Sequence, residues 1–388
     1  MKILEISDFQ NTGGASIAGK RIAKAIKDLG HDYIRISSDS SVPQTSLFVG
    51  KKFSILADLL NIAGLTFWTP TLMKKGILRQ FRLHLQRHQP EQILFHNIHG
   101  TAWPLELLLV AMKYAPTTWT LHDCWSFLGS YYPSHSEPPK QQTLQKLNFF
   151  WKKVSNSNYN FSGISPSSWL REQAFSSLWS ETHIETIQNP VPNSFFRDID
   201  KHSARTALGL NPNQSTILCI AGNLAEDRKG GRILNEILES PISNKAQVLL
   251  VGEEKNLVCN NSKFVSIGFV QDELMLRMAY HAADLTLHTA PEDNLPNTVA
   301  ESMSCGTPVI AFRTGGLPEM IVDDECGWLV KNLDSDSMIE KLWKVLAKKD
   351  LRSISMNARK RAHSLFNERA VALKYEAHFQ KMHQFSNL

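Results

Sequence analysis

Short apolar runs alternate with longer amphipathic stretches along almost the whole chain. Residues 3–7 form the first apolar run. A polar turn with Gly13-Gly14 follows, and then residues 15–29, where apolar positions return every three or four residues, the spacing of a helix with one buried face. Gly30 ends that stretch, and 33–37 reads as the second strand. Strands are expected again at 92–95, 117–121 and 161–164, with helices near 104–113 and from 166. The connection after residue 121 reads as a loop of about twenty residues, long enough to imply a functional role. The Pro- and Asn-rich stretch 188–193 is the best linker. Beyond it the alternation restarts. Strands are expected at 215–221, 247–251, 263–267 and 284–288, with helices from 229 and 271. A helix over 296–305 is expected to open on Pro296, with Asn294 as its cap. A strand at 308–312, a turn at Gly315-Gly316 and a short helix at 317–322 complete that unit, and the end of the chain reads as helices. Such alternation argues an α/β protein, with parallel sheets covered on both faces.

Length divides this picture in two. At 388 residues the chain exceeds one ordinary hydrophobic core, so two domains are expected. Cys124, Cys219, Cys259, Cys305 and Cys326 show no paired spacing, which fits buried thiols and neither a disulfide framework nor a zinc site. The chain opens on a strand and holds no apolar stretch of spanning length, so a cytoplasmic protein without a signal peptide is expected. Charge is uneven: residues 1–195 hold 19 Lys and Arg against 13 Asp and Glu, a net +6, and the remainder is at −1. Within 51–90 seven cations face one acid, Asp58, and apolar residues lie between them. Such a segment can lie on an anionic membrane surface. A solvated helix face gives the same pattern. No nucleic-acid partner is expected.

Candidate chemistry clusters at strand ends, where open α/β sheets bind ligands. Gly13-Gly14 after the first strand would leave room for a diphosphate, although a plain tight turn looks the same. The surrounding string lacks G-x-G-x-x-G, which speaks against a nicotinamide dehydrogenase. His122 and Asp123 follow the strand at 117–121, and Asp123 would orient an imidazole or cap a turn. His96 and His99 follow the neighbouring strand. Their spacing to carboxylates supports no metal site. Asn223, Arg228 and Lys229 follow the first strand of the second half, and the two cations suit an anionic ligand or a surface turn. Asp293 and Glu301 flank the start of the helix expected at 296–305, whose free N–H groups favour phosphate. An ordinary strand–helix–strand unit with a solvated acidic loop is the plainer alternative. Asp198 and Asp200 formally make a D-x-D pair, but they sit in the linker region and read as structural.

The string from Asp293 to Gly316 resembles the donor-binding signature of glycosyltransferase family 4, the retaining enzymes of GT-B architecture. That signature has a Glu, seven residues, a second Glu, small residues, Gly-x-Pro-Val and a Gly-Gly pair. Asp293 holds the first acidic position and Glu301 the second, around the turn Asn294-Leu295-Pro296-Asn297. The Asp is a departure, one methylene shorter than Glu, which shifts its contact with the donor sugar. Lys229 matches the family's Lys-Gly. The family's Arg position holds Asn223, and adjacent Arg228 is the candidate replacement. His122 matches a His beside the donor sugar, and Gly13-Gly14 the N-terminal glycine loop.

The resemblance covers nearly the whole chain and is densest in its second half. It implies two facing Rossmann-like domains with a deep interdomain cleft and a C-terminal crossover helix. The acceptor domain would be 1–190, with 367–388 packing back on it, and the donor domain 191–366. The implied reaction moves a sugar from a nucleotide-diphosphate sugar, with UDP or GDP expected, to a glycan or lipid-linked glycan with retention of configuration. Lys229, Arg228, Gly13 and Gly14 would meet the diphosphate. His122, Asp293 and 294–297 would hold the sugar, and Glu301 the ribose. His96, His99 and Asp123 would lie on the acceptor side. The resemblance implies no metal or other cofactor, and a place on the inner face of the cytoplasmic membrane. A nucleotide-sugar epimerase of the same architecture, or a non-catalytic sugar-nucleotide-binding protein, remains compatible.

Overall fold

The structure, a computed structural model, describes residues 1–10, 13–38, 47, 71–101, 103–133, 141–255, 257, 264–348 and 350–385. The chain divides into two compact units: Met1–Pro190 with Glu368–Leu388, and Val191–Asn367.

Unit 1 is built on six parallel strands: β1 (Lys2–Ile6), β2 (Asp32–Ile36), β3 (Gln92–Phe95), β4 (Thr117–Thr120), β5 (Phe161–Ser165) and β6 (Ile184–Thr186). Their spatial order is β2-β1-β3-β4-β5-β6. Every residue of β3 and β4 is buried, as expected for central strands covered on both faces. From β1 the chain moves to β2 on one side, and later strands build outward on the other. The carboxyl ends of β1 and β3 therefore flank a topological switch point, where such sheets bind ligands.

Unit 2 repeats the plan with β7 (Thr216–Asn223), β8 (Gln247–Glu253), β9 (Phe264–Ser266), β10 (Leu285–His288), β11 (Val309–Phe312) and β12 (Gly327–Val330). The order is β12-β11-β10-β7-β8-β9, so its switch point lies between β7 and β10.

The last helix, Glu368–Phe385, belongs to unit 1. Its Val371, Tyr375 and Phe379 pack with Ile3, Ile22 and Ile26 from β1 and the helix Gly14–Lys27. Polar groups pin it to the sheet. The His378 ring nitrogens lie 2.9 Å from Ser162 Oγ and 2.7 Å from a Glu185 carboxylate oxygen. Asn160 Nδ2 donates to the Met382 carbonyl at 2.6 Å. Where the chain leaves unit 2, the Val191 amide donates to the Phe366 carbonyl at 2.9 Å, so the entering and leaving segments are tied together.

Three expectations are corrected. The helix expected at 296–305 runs Asn297–Ser304, and Pro296 occupies the cap position with no side-chain cap bond. Asn294 is therefore not the cap; its backbone amide is turned to Asp293 Oδ1 at 2.9 Å within the loop. The loop after 121 contains the short helix Trp125–Leu128, and the helix Gln141–Ser155 follows it in a stretch where no element is expected. The second buries Leu147, Phe150, Trp151 and Val154, a three-and-four spacing already visible in the sequence. The segment at 227–230 is a 3-10 turn, Asp227–Lys229, and the α-helix starts only at Gly231.

Of the basic segment 51–90, residues 51–70 lie outside the described residues, as does Cys259. The remainder includes the helix Thr71–His88, which buries Ile77, Phe81 and Leu85 and exposes Lys75, Arg79, Arg82 and Arg87. Cys124, Cys219, Cys305 and Cys326 are buried free thiols.

Because Phe379 is fully buried between the last helix and the sheet, Phe379→Ala should destabilise unit 1 by about 3–5 kcal/mol. Urea unfolding followed by tryptophan fluorescence measures this; a loss below about 1 kcal/mol would mean that the helix is not part of the unit 1 core.

Candidate active site

At the unit 2 switch point two loops are clasped together. Lys229 Nζ donates to Asp293 Oδ2 at 2.7 Å, and the Asn294 amide donates to Oδ1 at 2.9 Å. Asp293 is buried, whereas the lysine reaches it from a partly exposed position. The backbones meet as well. Thr289 Oγ1 donates to the Lys229 carbonyl at 2.9 Å. Gly230 has φ +79°, and a Cβ there would lie 2.0 Å from the Thr289 carbonyl oxygen. On the far side the Gly316 amide donates to the Asp293 carbonyl at 3.1 Å. Gly315 has φ +55°, and a Cβ on it would fall 1.9 Å from that same oxygen. These glycines let two loops approach the Asp293 loop more closely than any side chain allows. Gly315 is thus packed against the protein's own carbonyl.

The other donor-side residues predicted in unit 2 lie in the turn after β7 and at the start of the helix after β10. Glu301 is buried on the helix Asn297–Ser304 and accepts from the Tyr280 hydroxyl at 2.8 Å. Asn223 Oδ1 accepts from the Ala225 amide at 3.0 Å, closing the turn after β7. Arg228 donates from Nε to Glu226 at 2.9 Å, so its charge is matched within its own turn. Leu295 is buried, and Pro296 and Asn297 open the helix. One residue not anticipated from the sequence is His288, the last of β10. Its buried Nε2 has no hydrogen-bond partner and lies 3.8 Å from Asp293 Oδ2. Burial pushes this imidazole down to about 4, so it is neutral at physiological pH.

At the unit 1 switch point Gly13, φ +83°, caps the helix Gly14–Lys27, whose first residue is Gly14. The three predicted histidines do come together there with carboxylates. His96 is fully buried, and its Nδ1 lies 2.8 Å from Nε2 of partly exposed His122. His99 stacks on Trp125, with ring centroids 4.6 Å apart, and its Nε2 lies 3.6 Å from Asp123 Oδ2. Asp123 accepts from Asn97 Nδ2 and from the Trp125 amide, both at 2.9 Å, so it orders the loop as well as facing an imidazole. Burial and then the Arg35 charge push His96 down to about 3, and burial and then His96 hold His122 well below the imidazole range.

Asp8 and Glu5 were missed, although both lie at the carboxyl end of β1. Asp8 accepts from the Gly100 amide at 2.7 Å, and burial pushes its carboxyl up to about 6 against the opposing pull of His99. The D-x-D pair is structural: Asp200 caps the helix Lys201–Ala207 and Asp198 pairs with Arg359 at 2.6 Å. Among the described residues no group of three or more His, Cys, Asp and Glu is placed to hold a metal ion.

Residues 215–348 match the family described as glycosyl transferases group 1. The match lies within unit 2. The stretch spans β7 to β12 and so contains Asn223, Arg228, Lys229, Asp293–Asn297 and Glu301. Among similar proteins, D-inositol 3-phosphate glycosyltransferase of Segniliparus rotundus is 29% identical over 164 residues, which is 38% of this chain and only 35% of that relative. Sucrose-phosphate synthase from Thermosynechococcus elongatus superposes with a TM-score of 0.78 at 17% identity, over 99% of this chain and 100% of that one. Anabaena Alr3699/HepE in complex with UDP-glucose does so with 0.71 at 18% identity, over 98% and 100%. At such identities the likeness concerns fold: two parallel sheets with covering helices, the GT-B α/β architecture.

Asp8 offers a test of the unit 1 electrostatics. Its folded-state pKa of about 6 lies above the ordinary 3.8, so its stabilising contribution is complete below 3.8 and is lost as pH rises through 6. Asp8→Asn, which mimics the protonated form, should gain melting temperature relative to wild type between pH 4 and 7. A difference in Tm that stays flat with pH would show that Asp8 ionises without cost.

Proposed function

We propose that the protein is a retaining glycosyltransferase of family 4, moving a sugar from a UDP- or GDP-sugar to a glycan or lipid-linked glycan acceptor. One observation carries the reading: Lys229 sits on Asp293 at the carboxyl ends of β7 and β10, inside the group 1 domain. A lysine in that place can move from a carboxylate to a diphosphate with little displacement, because both are oxyanions that accept its N–H. Transfer of Lys229 to the leaving diphosphate frees Asp293 to accept a sugar hydroxyl. The charge that develops on the diphosphate is then met by a preorganised cation. Tyr280 orients Glu301, the candidate for the ribose hydroxyls. Arg228 joins the diphosphate only by leaving Glu226. His122 supplies a neutral contact for the sugar. The UDP-glucose in the Anabaena protein supports a uridine donor. In this scheme the departing phosphate takes the acceptor's proton on the same face, as the family resemblance implies, and no side-chain nucleophile is required.

A panel of UDP- and GDP-sugars, followed by NMR of the product's anomeric configuration, tests the reading. Retention is expected, and Lys229→Ala should lower kcat by about 10²-fold, the usual effect of removing one preorganised donor. Inversion would overturn the retaining assignment. Conversion of the donor without acceptor would make the protein an epimerase, and donor binding without turnover a non-catalytic binding protein.

The acceptor side of the proposal rests on charge. The helix Thr71–His88 contains no acidic residue and exposes four cations, which suits an anionic or lipid-linked acceptor at the cytoplasmic membrane face. Among the described residues no helix is long and apolar enough to cross a membrane. Vesicles containing anionic lipid should retain the protein at low salt and release it as salt rises. Equal retention by neutral vesicles would argue against an electrostatic contact.

A further inference from the structure

A line of charged and polar side chains runs through the buried side of unit 1. Arg35 Nε and the Tyr33 hydroxyl both donate to the Glu5 carboxylate, each at 2.8 Å. Glu5 is fully buried. Its Oε1 lies 3.9 Å from His96 Nε2, a buried nitrogen with no hydrogen-bond partner. The other nitrogen of that ring, Nδ1, lies 2.8 Å from His122 Nε2. The helix Gly14–Lys27 closes over this pair at Gly19, where a Cβ would come within 3.1 Å of Glu5 Oε1 and 3.2 Å of the His96 ring. Both side chains are fully buried, so solvent screens their interaction little.

A neutral imidazole carries one proton, on either nitrogen. Placed on His96 Nε2, that proton faces a carboxylate, and the Coulomb attraction is strong in so buried a site. Placed on Nδ1, it leaves the Nε2 lone pair facing the same carboxylate, which is repulsive. We infer that Glu5 fixes His96 as the Nε2–H tautomer, and that His96 in turn fixes His122. With its proton on Nε2, His96 has only a lone pair at Nδ1. His122 must therefore donate its own proton from Nε2 across the 2.8 Å contact. His122 Nδ1 is then an acceptor, and any group that meets it must donate.

Glu5 and His96 are thus positioning residues acting through His122. The consequence for recognition rests on the glycosyltransferase reading above. A hydroxyl of a sugar can satisfy an accepting nitrogen; a phosphate or carboxylate oxygen cannot. His122 would select the neutral, hydroxyl-bearing part of a ligand and reject its anionic part. The buried carboxylate behind it supplies the direction, without touching the ligand.

Long-range ¹H–¹⁵N correlation spectra of the full chain labelled with ¹⁵N-histidine report each tautomer directly. Both His96 and His122 are expected to carry the proton on Nε2 at neutral pH. A proton on Nδ1 of either ring overturns the inference, whatever the activity. Glu5→Gln keeps a similar shape but offers an amide in place of the charge. It should shift His96 toward the Nδ1–H form and His122 with it, and unchanged tautomers in a folded variant would overturn the role of Glu5. Should that variant fail to fold, the wild-type spectra still decide. If both protons lie on Nε2 but no sugar is transferred, the functional reading falls and the relay stands.

Discussion

The contact between Lys229 and Asp293 is the point on which the switch point of unit 2 turns. It joins the loop after β7 to the loop after β10, the two strands that flank the switch point of the second sheet. A carboxylate this deeply buried is costly unless it is paired and hydrogen-bonded, and removing one partner of such a pair leaves a charge that typically costs 3–5 kcal/mol. The structure meets that requirement with a lysine, a backbone amide and two glycine-bearing turns. The lysine is the partly exposed member of the pair.

The two units solve the same topological problem with different chemistry. Unit 2 places a cation and a carboxylate at its switch point, suited to an anionic ligand and its hydroxyls. Unit 1 places three imidazoles and three carboxylates there, and burial holds His96 and His122 neutral. Neutral imidazoles next to buried carboxylates favour directional hydrogen bonds over charge attraction. The difference follows from what lies behind each site. In unit 1 Glu5 is already matched by Arg35 and Tyr33, so the histidines need not carry charge. In unit 2 Asp293 is matched by the charge of Lys229, and neighbouring His288 is held neutral by burial.

The alternation of strands and helices, the linker near 190 and the acidic pair with its glycines could all be read from the chain. Each depends on local pattern: a period of about 2 or about 3.6 residues along a segment, or fixed spacing within one loop–helix–strand unit. Even the missed helix Gln141–Ser155 was legible, since its buried residues follow helical spacing. What spacing could not supply was partnership across distance. Arg228 and Lys229 are adjacent and equally cationic in sequence, yet one is matched by Glu226 two residues away and the other by Asp293, sixty-four positions along the chain.

By itself, then, the order of residues determined the class of fold and the chemical vocabulary of the site: a lysine, two acids, several histidines and glycines at strand ends. Tertiary structure alone decided which of them face each other. It brought His288 beside Asp293 and Glu5 beside His96, and gave Gly315 to a protein carbonyl. The reason is physical. Secondary structure and turn chemistry are properties of neighbours in sequence, whereas burial, charge pairing and tautomer are set by groups that only the packing of parallel strands brings within a few ångströms.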